Sequence, residues 1–143
     1  MKTKILAAIA LLSTLCLAAP VKAENPSHIK QLLETRLCAN CDVSGADLSG
    51  AHLIGVDLRN ANLQGAILAR ANLEGADLTG ANLKGANLTG AYINGTTLND
   101  ANLADVNFSN AKLYNADVAG ANLTGINLTG ADLFDTNISV GGE

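Results

Sequence analysis

Cys38 and Cys41 stand three residues apart, and their type and spacing make them the residues of this chain best suited to chemistry. A Cys-x-x-Cys pair can act as a redox couple, supply two ligands to a zinc ion or form a disulfide. A thioredoxin-like couple would need a helix start beside a βαβ unit, and the sequence contains no such unit. A zinc site would need two more ligands, for which only His28 and His52 are available. The pair is therefore predicted to be structural and to face inward, as a disulfide or as two buried thiols.

The remaining polar residues do not indicate an enzyme. No Ser/His/Asp or Cys/His set has a spacing that suggests a shared site, and His28 and His52 are predicted to be solvated surface residues. Aspartate and asparagine alternate irregularly, which does not fit a calcium-binding repeat. The sequence thus predicts no catalytic residue, no cofactor and no metal site.

The element that must position all these residues is a five-residue repeat. Twenty consecutive units run from residue 41 to residue 140, and most read Ala-(Asn/Asp)-Leu-X-Gly. An α-helix turns by about 100° per residue, so a five-residue step leaves no common apolar face. A regular strand does not fit either, because alternation holds for Ala-x-Leu and then stops. The pattern predicts three extended residues, two of them facing inward, followed by a turn at X-Gly and wound as a solenoid.

These units resemble those of the pentapeptide-repeat family, and the resemblance covers residues 41–140. It implies an all-β solenoid: a right-handed quadrilateral β-helix with four units per coil, about five coils, and Leu and Ala inside. The Asn/Asp position is expected to point outward, where its side chains can bond to the backbone or to amides of neighbouring coils. An interior filled in this way is expected to leave no substrate pocket.

The first 23 residues are predicted to be a signal peptide and not part of this fold. Two lysines precede an apolar run, 5–19, that is too short for a comfortable membrane span, and residues 21–23 have the small-x-small form of a cleavage site. Cys16 is not predicted to carry a lipid, because the residues before it lack the small side chain required. The chain is therefore predicted to be exported. Its resemblance to short family members of photosynthetic bacteria and chloroplasts implies the periplasm or the thylakoid lumen.

Removal of this peptide would leave one acidic domain. Of the nine Lys and Arg, three lie in residues 1–23, so six remain against thirteen Asp and Glu, a formal charge of −7. Such acidity argues against nucleic acid as a partner, because cations must neutralise phosphates. Its ordinary consequence is solubility, and no membrane contact is predicted after signal cleavage.

Residues 24–40 are predicted to form a cap helix and a lead-in to the first coil. Asn25 can cap a helix that has Pro26 in its first turn. An uncovered solenoid end exposes apolar interior and unpaired edge amides, so a cap is expected. Residues 141–143 are too few to cover the other end, which is predicted to be exposed or to self-associate through the C-terminal coil. The apolar stripe expected to dock the helix comprises Ile29, Leu32, Leu33 and Leu37.

Taken at an interval of twenty residues, the outward side chains sort onto four faces. Exposed aromatic residues beside charges are typical of binding surfaces, although scattered apolar residues are normal on any surface. The aromatic face is therefore the predicted interaction surface, and it carries His52, Ile54, Tyr92, Lys112, Tyr114 and Phe134. The neighbouring acidic face carries Asp57, Asp77, Asp100 and Asp117 against Arg59 alone.

The sequence thus predicts a non-enzymatic structural or protein-interaction module with an unknown protein partner. An alternative from another class is a DNA mimic that inhibits or protects DNA gyrase, as the resemblance implies for some family members. The acidic face fits this alternative loosely. Those members act in the cytoplasm and usually dimerise through a C-terminal element, so the predicted signal peptide speaks against it.

Overall fold

The computed structural model describes residues 25–138. The predicted signal peptide, with Cys16, lies outside the described residues. So do residues 139 and 140 of the last predicted unit, and the predicted tail at 141–143. The described part begins with one helix and continues as the repeat.

Helix α1 spans Pro26–Thr35, and local hydrogen bonds set both of its ends. The Asn25 side chain accepts the Ser27 backbone N–H at 3.2 Å, which satisfies one free amide of the first turn. Arg36 follows the helix in the left-handed conformation, and its N–H donates to Leu32 O at 3.1 Å. A ten-residue helix with Asn25 as its N-cap therefore precedes the first coil.

Helix α1 buries fewer apolar residues than its sequence stripe predicts. Leu32 is fully buried and Ile29 packs partly against the core. Leu33 and Leu37 are 54% and 64% exposed, so the prediction that they continue the buried stripe is wrong. A short helix on a narrow coil end offers only one row of side chains to the core, and the left-handed turn at Arg36 ends that row.

Beyond α1, the backbone pairs with itself in parallel at an interval of twenty residues. Isolated bridges join every fifth residue to the residue twenty positions later, from Leu37↔Asp57 to Asn107↔Asn127. Strand β1 (Lys112–Tyr114) pairs in parallel with strand β2 (Asp132–Phe134) at the same interval. Twenty residues are four units, so each unit lies on the unit four places earlier. The pairing therefore agrees with the four-unit coil that the resemblance implies.

Each unit ends in a tight turn at the position where the repeat has X-Gly. The N–H that follows the turn donates to the carbonyl of the central residue, as from Ala51 N to Leu48 O at 3.0 Å. Every fifth residue from Asn40 to Asp135 has a positive φ, as the third residue of a type II turn requires. Twelve of these residues are glycine and seven are Asn or Asp. Arg70, with φ 58°, is the exception.

The central and Ala positions of the units form the core. Most of them are fully buried, as are Ala71 and Leu73, and each such Leu contributes about 1.5–3 kcal/mol of transfer free energy. Phe108 is the largest of the fully buried side chains. The interior is thus occupied by side chains from coil to coil.

The Asn/Asp position faces outward and links the coils. Asn82 Nδ2 donates to Asn62 Oδ1 at 3.2 Å, and Asn102 Nδ2 donates to Asn82 Oδ1 at 3.2 Å. This amide ladder begins at Asp42, which accepts from Asn62 at 3.0 Å, and ends at Asn122, which donates to Asn102 at 3.3 Å. The predicted amide contacts between coils are confirmed. In every bond of the ladder, the side-chain amide donates to the residue one coil closer to the N-terminus. The first member therefore only accepts within the ladder, and this position is occupied by an aspartate.

Candidate interaction face

The aromatic face is a single side of the coil stack. Parallel bridges place His52, Tyr92 and Lys112 in one column, with Asn72 between the first two. The pairing of β1 with β2 sets Tyr114 directly beside Phe134, two residues farther along the same units. The coil therefore brings together residues that lie twenty positions apart in the sequence.

Contacts between side chains hold the C-terminal half of this face in place. Lys112 Nζ lies 5.2 Å from the centre of the Tyr92 ring, a cation–π contact. The rings of Tyr114 and Phe134 meet edge to face with centres 6.4 Å apart. The Tyr114 hydroxyl donates to Asp132 Oδ2, and this hydrogen bond raises the pKa of Tyr114. The group of Tyr92, Lys112, Tyr114, Asp132 and Phe134 is the aromatic cluster.

The aromatic cluster remains accessible to a partner. Phe134 is 68% exposed and Tyr92 is 42% exposed. Ile54 is also 42% exposed and His52 is exposed, but both lie two coils before the Tyr92 unit. The structure thus concentrates the predicted surface at one end and leaves its first two residues apart.

Asp132 belongs to the cluster but was absent from the predicted surface. In the sequence it is one more acidic member of the Asn/Asp position. The sequence does contain a sign of its role, because Asp132 follows Lys112 by twenty residues. That interval places it beside Lys112 on the next coil, where the Tyr114 side chain can contact it. An acidic residue at this point gives the tyrosine hydroxyl a charged acceptor.

One arginine pairs with two of the carboxylates on the acidic face. Asp57 and Asp77 are bridge partners on adjacent coils, so their like charges would oppose each other. Arg59 donates to both oxygens of Asp57, at 2.9 and 2.7 Å, and its Nε lies 3.8 Å from Asp77 Oδ2. The hydrogen bond from Arg59 lowers the pKa of Asp57, and the same bond raises the pKa of Arg59. These two carboxylates therefore share one cation.

The other two acidic residues have different surroundings. Asp117 accepts from Asn99 Nδ2 at 2.9 Å and from Asn137 Nδ2 at 2.8 Å. The bond from Asn99, followed by the Ala119 backbone N–H and the bond from Asn137, lowers the pKa of Asp117. Asp100 is a turn residue with φ 57° at a corner of the coil. The four aspartates thus do not form one continuous field of unpaired charge.

Cys38 and Cys41 form a disulfide, with their Cα atoms 5.2 Å apart. Cys38 takes a central position and Cys41 the following Ala position, and they are 0% and 4% exposed. Of the two alternatives that the sequence left open, the structure contains the disulfide. The two cysteines thus occupy inward positions that Leu and Ala occupy in most units, on either side of the first turn.

His28 is not the solvated surface residue that the sequence predicts. It is half-buried, and its Nδ1 accepts the Asp42 backbone N–H at 3.0 Å. The two residues lie fourteen positions apart, and nothing in the local pattern indicates that α1 places one on the other. His52, by contrast, is exposed.

An open cleft of about 430 Å³ lies at the corner between the two faces. It is lined by residues of the last two described coils: Asn115, Ala116, Asp117, Asp135, Thr136 and Asn137.

Within residues 25–138, no three His, Cys, Asp or Glu side chains are grouped so that they could hold a metal ion. Nor does any helix in that range have the length and apolarity needed to cross a membrane.

The repeat region matches a known family along nearly its whole length. The family described as Pentapeptide repeats (8 copies) matches residues 41–80, 57–95, 66–105, 81–118 and 111–139. None of the curated proteins compared with the chain matches it.

Solved structures of similar proteins include one from the thylakoid lumen of Arabidopsis thaliana, a pentapeptide repeat protein 33% identical to this chain. The match covers 71% of each chain, with a TM-score of 0.47. The pentapeptide repeat protein Rfr23 from the cyanobacterium Cyanothece 51142 is 27% identical, over 78% of this chain and 97% of its own, with a TM-score of 0.36. QnrB1, a plasmid-mediated fluoroquinolone resistance protein, is 22% identical over 66% and 61% of the two chains, with a TM-score of 0.26.

Proposed function

Because the chain belongs to the pentapeptide-repeat family, we propose that it is a non-enzymatic structural and protein-interaction module of an exported compartment. The observation that carries this proposal is the aromatic cluster on one side of the stack. Its side chains do not fill the interior, and they are held by contacts with one another. An ordered aromatic surface loses little conformational entropy when it docks on a partner.

The proposed compartment is the periplasm or the thylakoid lumen. The predicted signal peptide supports export, and a buried disulfide fits a compartment that is oxidising. The proposed architecture is a right-handed quadrilateral β-helix of about five coils, because the twenty units pair at an interval of four. Such a rod presents its faces as rigid surfaces for protein partners.

Replacing Tyr92, Tyr114 and Phe134 together by serine is expected to abolish partner binding while the fold is kept. Truncating an aromatic residue at the centre of an interface often costs about 1 kcal/mol or more, so losing three should weaken binding by more than about a hundredfold. The measurement is affinity capture of tagged protein from its native exported compartment, with partners quantified by mass spectrometry. Circular dichroism and thermal melting establish that the variant is folded.

A matched control is available on other surfaces. Leu33, Leu37 and Ile67 are also exposed, at 54%, 64% and 39%, and lie off the aromatic face. Their triple replacement by serine also removes three large apolar side chains from the surface and should leave the captured partners unchanged. Equal losses in both triple variants, or no loss in the first, would contradict a role for the aromatic face.

We also propose that the last described coil pairs with a second copy of the chain. Leu123, Leu128 and Leu133 are only partly buried, whereas Leu103 and Leu113, on the coil before, are fully buried. Covering this half-open interior would bury apolar surface and supply partners to edge amides. Light scattering should show a mass that rises toward that of a dimer with concentration, and Leu128→Lys should abolish the rise. A monomer at every concentration would contradict the pairing.

The alternative of a DNA mimic acting on gyrase needs a continuous array of exposed negative charge. Arg59 is shared by Asp57 and Asp77, and Asp117 is held by two amides. The described acidic face therefore lacks such an array, and we do not propose this alternative.

A further inference from the structure

Helix α1 lies directly over the disulfide. One residue of the helix, His28, contacts the chain on both sides of it. Its carbonyl oxygen lies 3.4 Å from Cys38 Sγ, and its ring nitrogen accepts the backbone N–H of Asp42, the residue after Cys41. The helix thus covers the Cys38–Asp42 segment at both ends.

In the closed structure both cysteines are buried, which leaves an external thiol little access to the disulfide. Cys38 is 0% exposed and Cys41 is 4% exposed. Thiol–disulfide exchange requires a thiolate to attack one sulfur directly, so the rate depends on access as well as on the chemistry of the thiols. The segment is also fastened to the next coil by Cys38 N donating to Asp57 O and Asn40 N donating to Arg59 O, each at 2.8 Å.

The smallest opening that would uncover the disulfide is the release of α1. The helix has ten residues and only one fully buried side chain, Leu32, with Ile29 partly buried. A helix of this length is marginal without tertiary contacts. Segments with few buried apolar contacts are the ones that open locally while the rest of the fold persists.

We propose that α1 and the Cys38–Cys41 disulfide form one latch, in which a dithiol reductant exchanges with the disulfide only after α1 has lifted from the first coil. One thiolate of the reductant attacks a cysteine sulfur, forms a mixed disulfide and releases the other cysteine as a thiolate. The second thiol of the reductant then displaces the protein sulfur. The reductant leaves as a disulfide, and the protein retains two thiols after taking up protons.

The reduced protein has a way to close again. The Cys38 thiol would find an acceptor in the His28 carbonyl oxygen, 3.4 Å from its sulfur, so the helix can return to its place. Both redox states are therefore compatible with a docked cap. The disulfide joins two residues that follow α1 and none within it, so the helix contacts made by Leu32 and His28 remain available in the reduced state.

The test measures how fast dithiothreitol reduces purified protein, with Cys38 and Cys41 followed individually by alkylation and mass spectrometry. Leu32→Ala removes the main contact of α1 and should raise the rate about tenfold or more, because the open state becomes more populated. Leu33→Ala changes an exposed residue of the same helix and should stay within about twofold of the wild-type rate.

Equal rates in all three proteins would overturn the latch. So would a wild-type rate as high as that of the same protein unfolded in concentrated urea. If Leu32→Ala does not fold, as judged by circular dichroism, His28→Ala decides the question, since it removes only the ring contact to Asp42. The proposal then requires faster reduction in His28→Ala and fails if the rate is unchanged.

Discussion

Replacing Phe108 by alanine is expected to lower the free energy of unfolding by about 3–5 kcal/mol. Phe108 is fully buried inside the stack, and the backbone on either side of it is fastened to the neighbouring coils. Leu88 N donates to Asn107 O, and Phe108 N donates to Asn127 O, each at 2.8 Å. The coils cannot close around the missing ring without giving up such bonds, so most of the cavity should remain. Urea unfolding followed by circular dichroism measures the loss.

The other phenylalanine of the chain serves as the control. Phe134 is 68% exposed, and Phe134→Ala should change the stability by less than about 1 kcal/mol. Phe108→Leu places the usual residue of the repeat at the buried position and should cost less than Phe108→Ala. A similar loss for Phe108→Ala and Phe134→Ala would contradict the division of interior and surface between these two residues.

Replacing Asn82 by aspartate is expected to cost about 1–3 kcal/mol, although the two side chains have nearly the same shape. Asn82 lies within the amide ladder, where its Nδ2 donates to Asn62 and its Oδ1 accepts from Asn102. A carboxylate has no donor, so its second oxygen would face Asn62 Oδ1 without a proton between them. Urea unfolding at neutral pH should show the loss, and it should diminish at acid pH when the new carboxyl is protonated.

Asn87 supplies the matched control on the next side of the same coil. Its Oδ1 accepts the Thr89 N–H at 3.0 Å and the Thr89 hydroxyl at 2.6 Å. The same arrangement is made elsewhere by Asp47 with Ser49. Asn87→Asp should therefore change the stability by less than about 0.5 kcal/mol. Equal losses at Asn82 and Asn87 would mean that the direction of the ladder does not decide between the two residue types.

The sequence was sufficient to predict the repeating part of the fold. A unit such as Ala71 to Gly75 contains its own extended segment, its inward pair and its turn. The five-residue pattern is therefore enough to predict the local structure. The same unit is repeated without interruption, and this places Leu73 and its equivalents in one interior. The interval of twenty residues, taken from the resemblance, was enough to collect the residues of the aromatic face.

The cap and the details of the faces could not be predicted in the same way. The position of α1 on the first coil decides that His28 is half-buried and that Leu33 and Leu37 are exposed. No repeat specifies that position. Asp132 and Arg59 look like ordinary outward residues until the coil sets them beside Tyr114 and Asp77. Each of these contacts depends on a neighbour distant in sequence.

The sequence by itself therefore determined the solenoid, its inward residues and its turns, because the five residues of each unit are sufficient to specify them. Only the tertiary structure decided the state of Cys38 and Cys41, the direction of the amide ladder and the grouping of the aromatic cluster. The physical reason is the stacking of the coils. A side chain on this surface has partners one coil away, and the distances and angles to those partners decide which contacts are made.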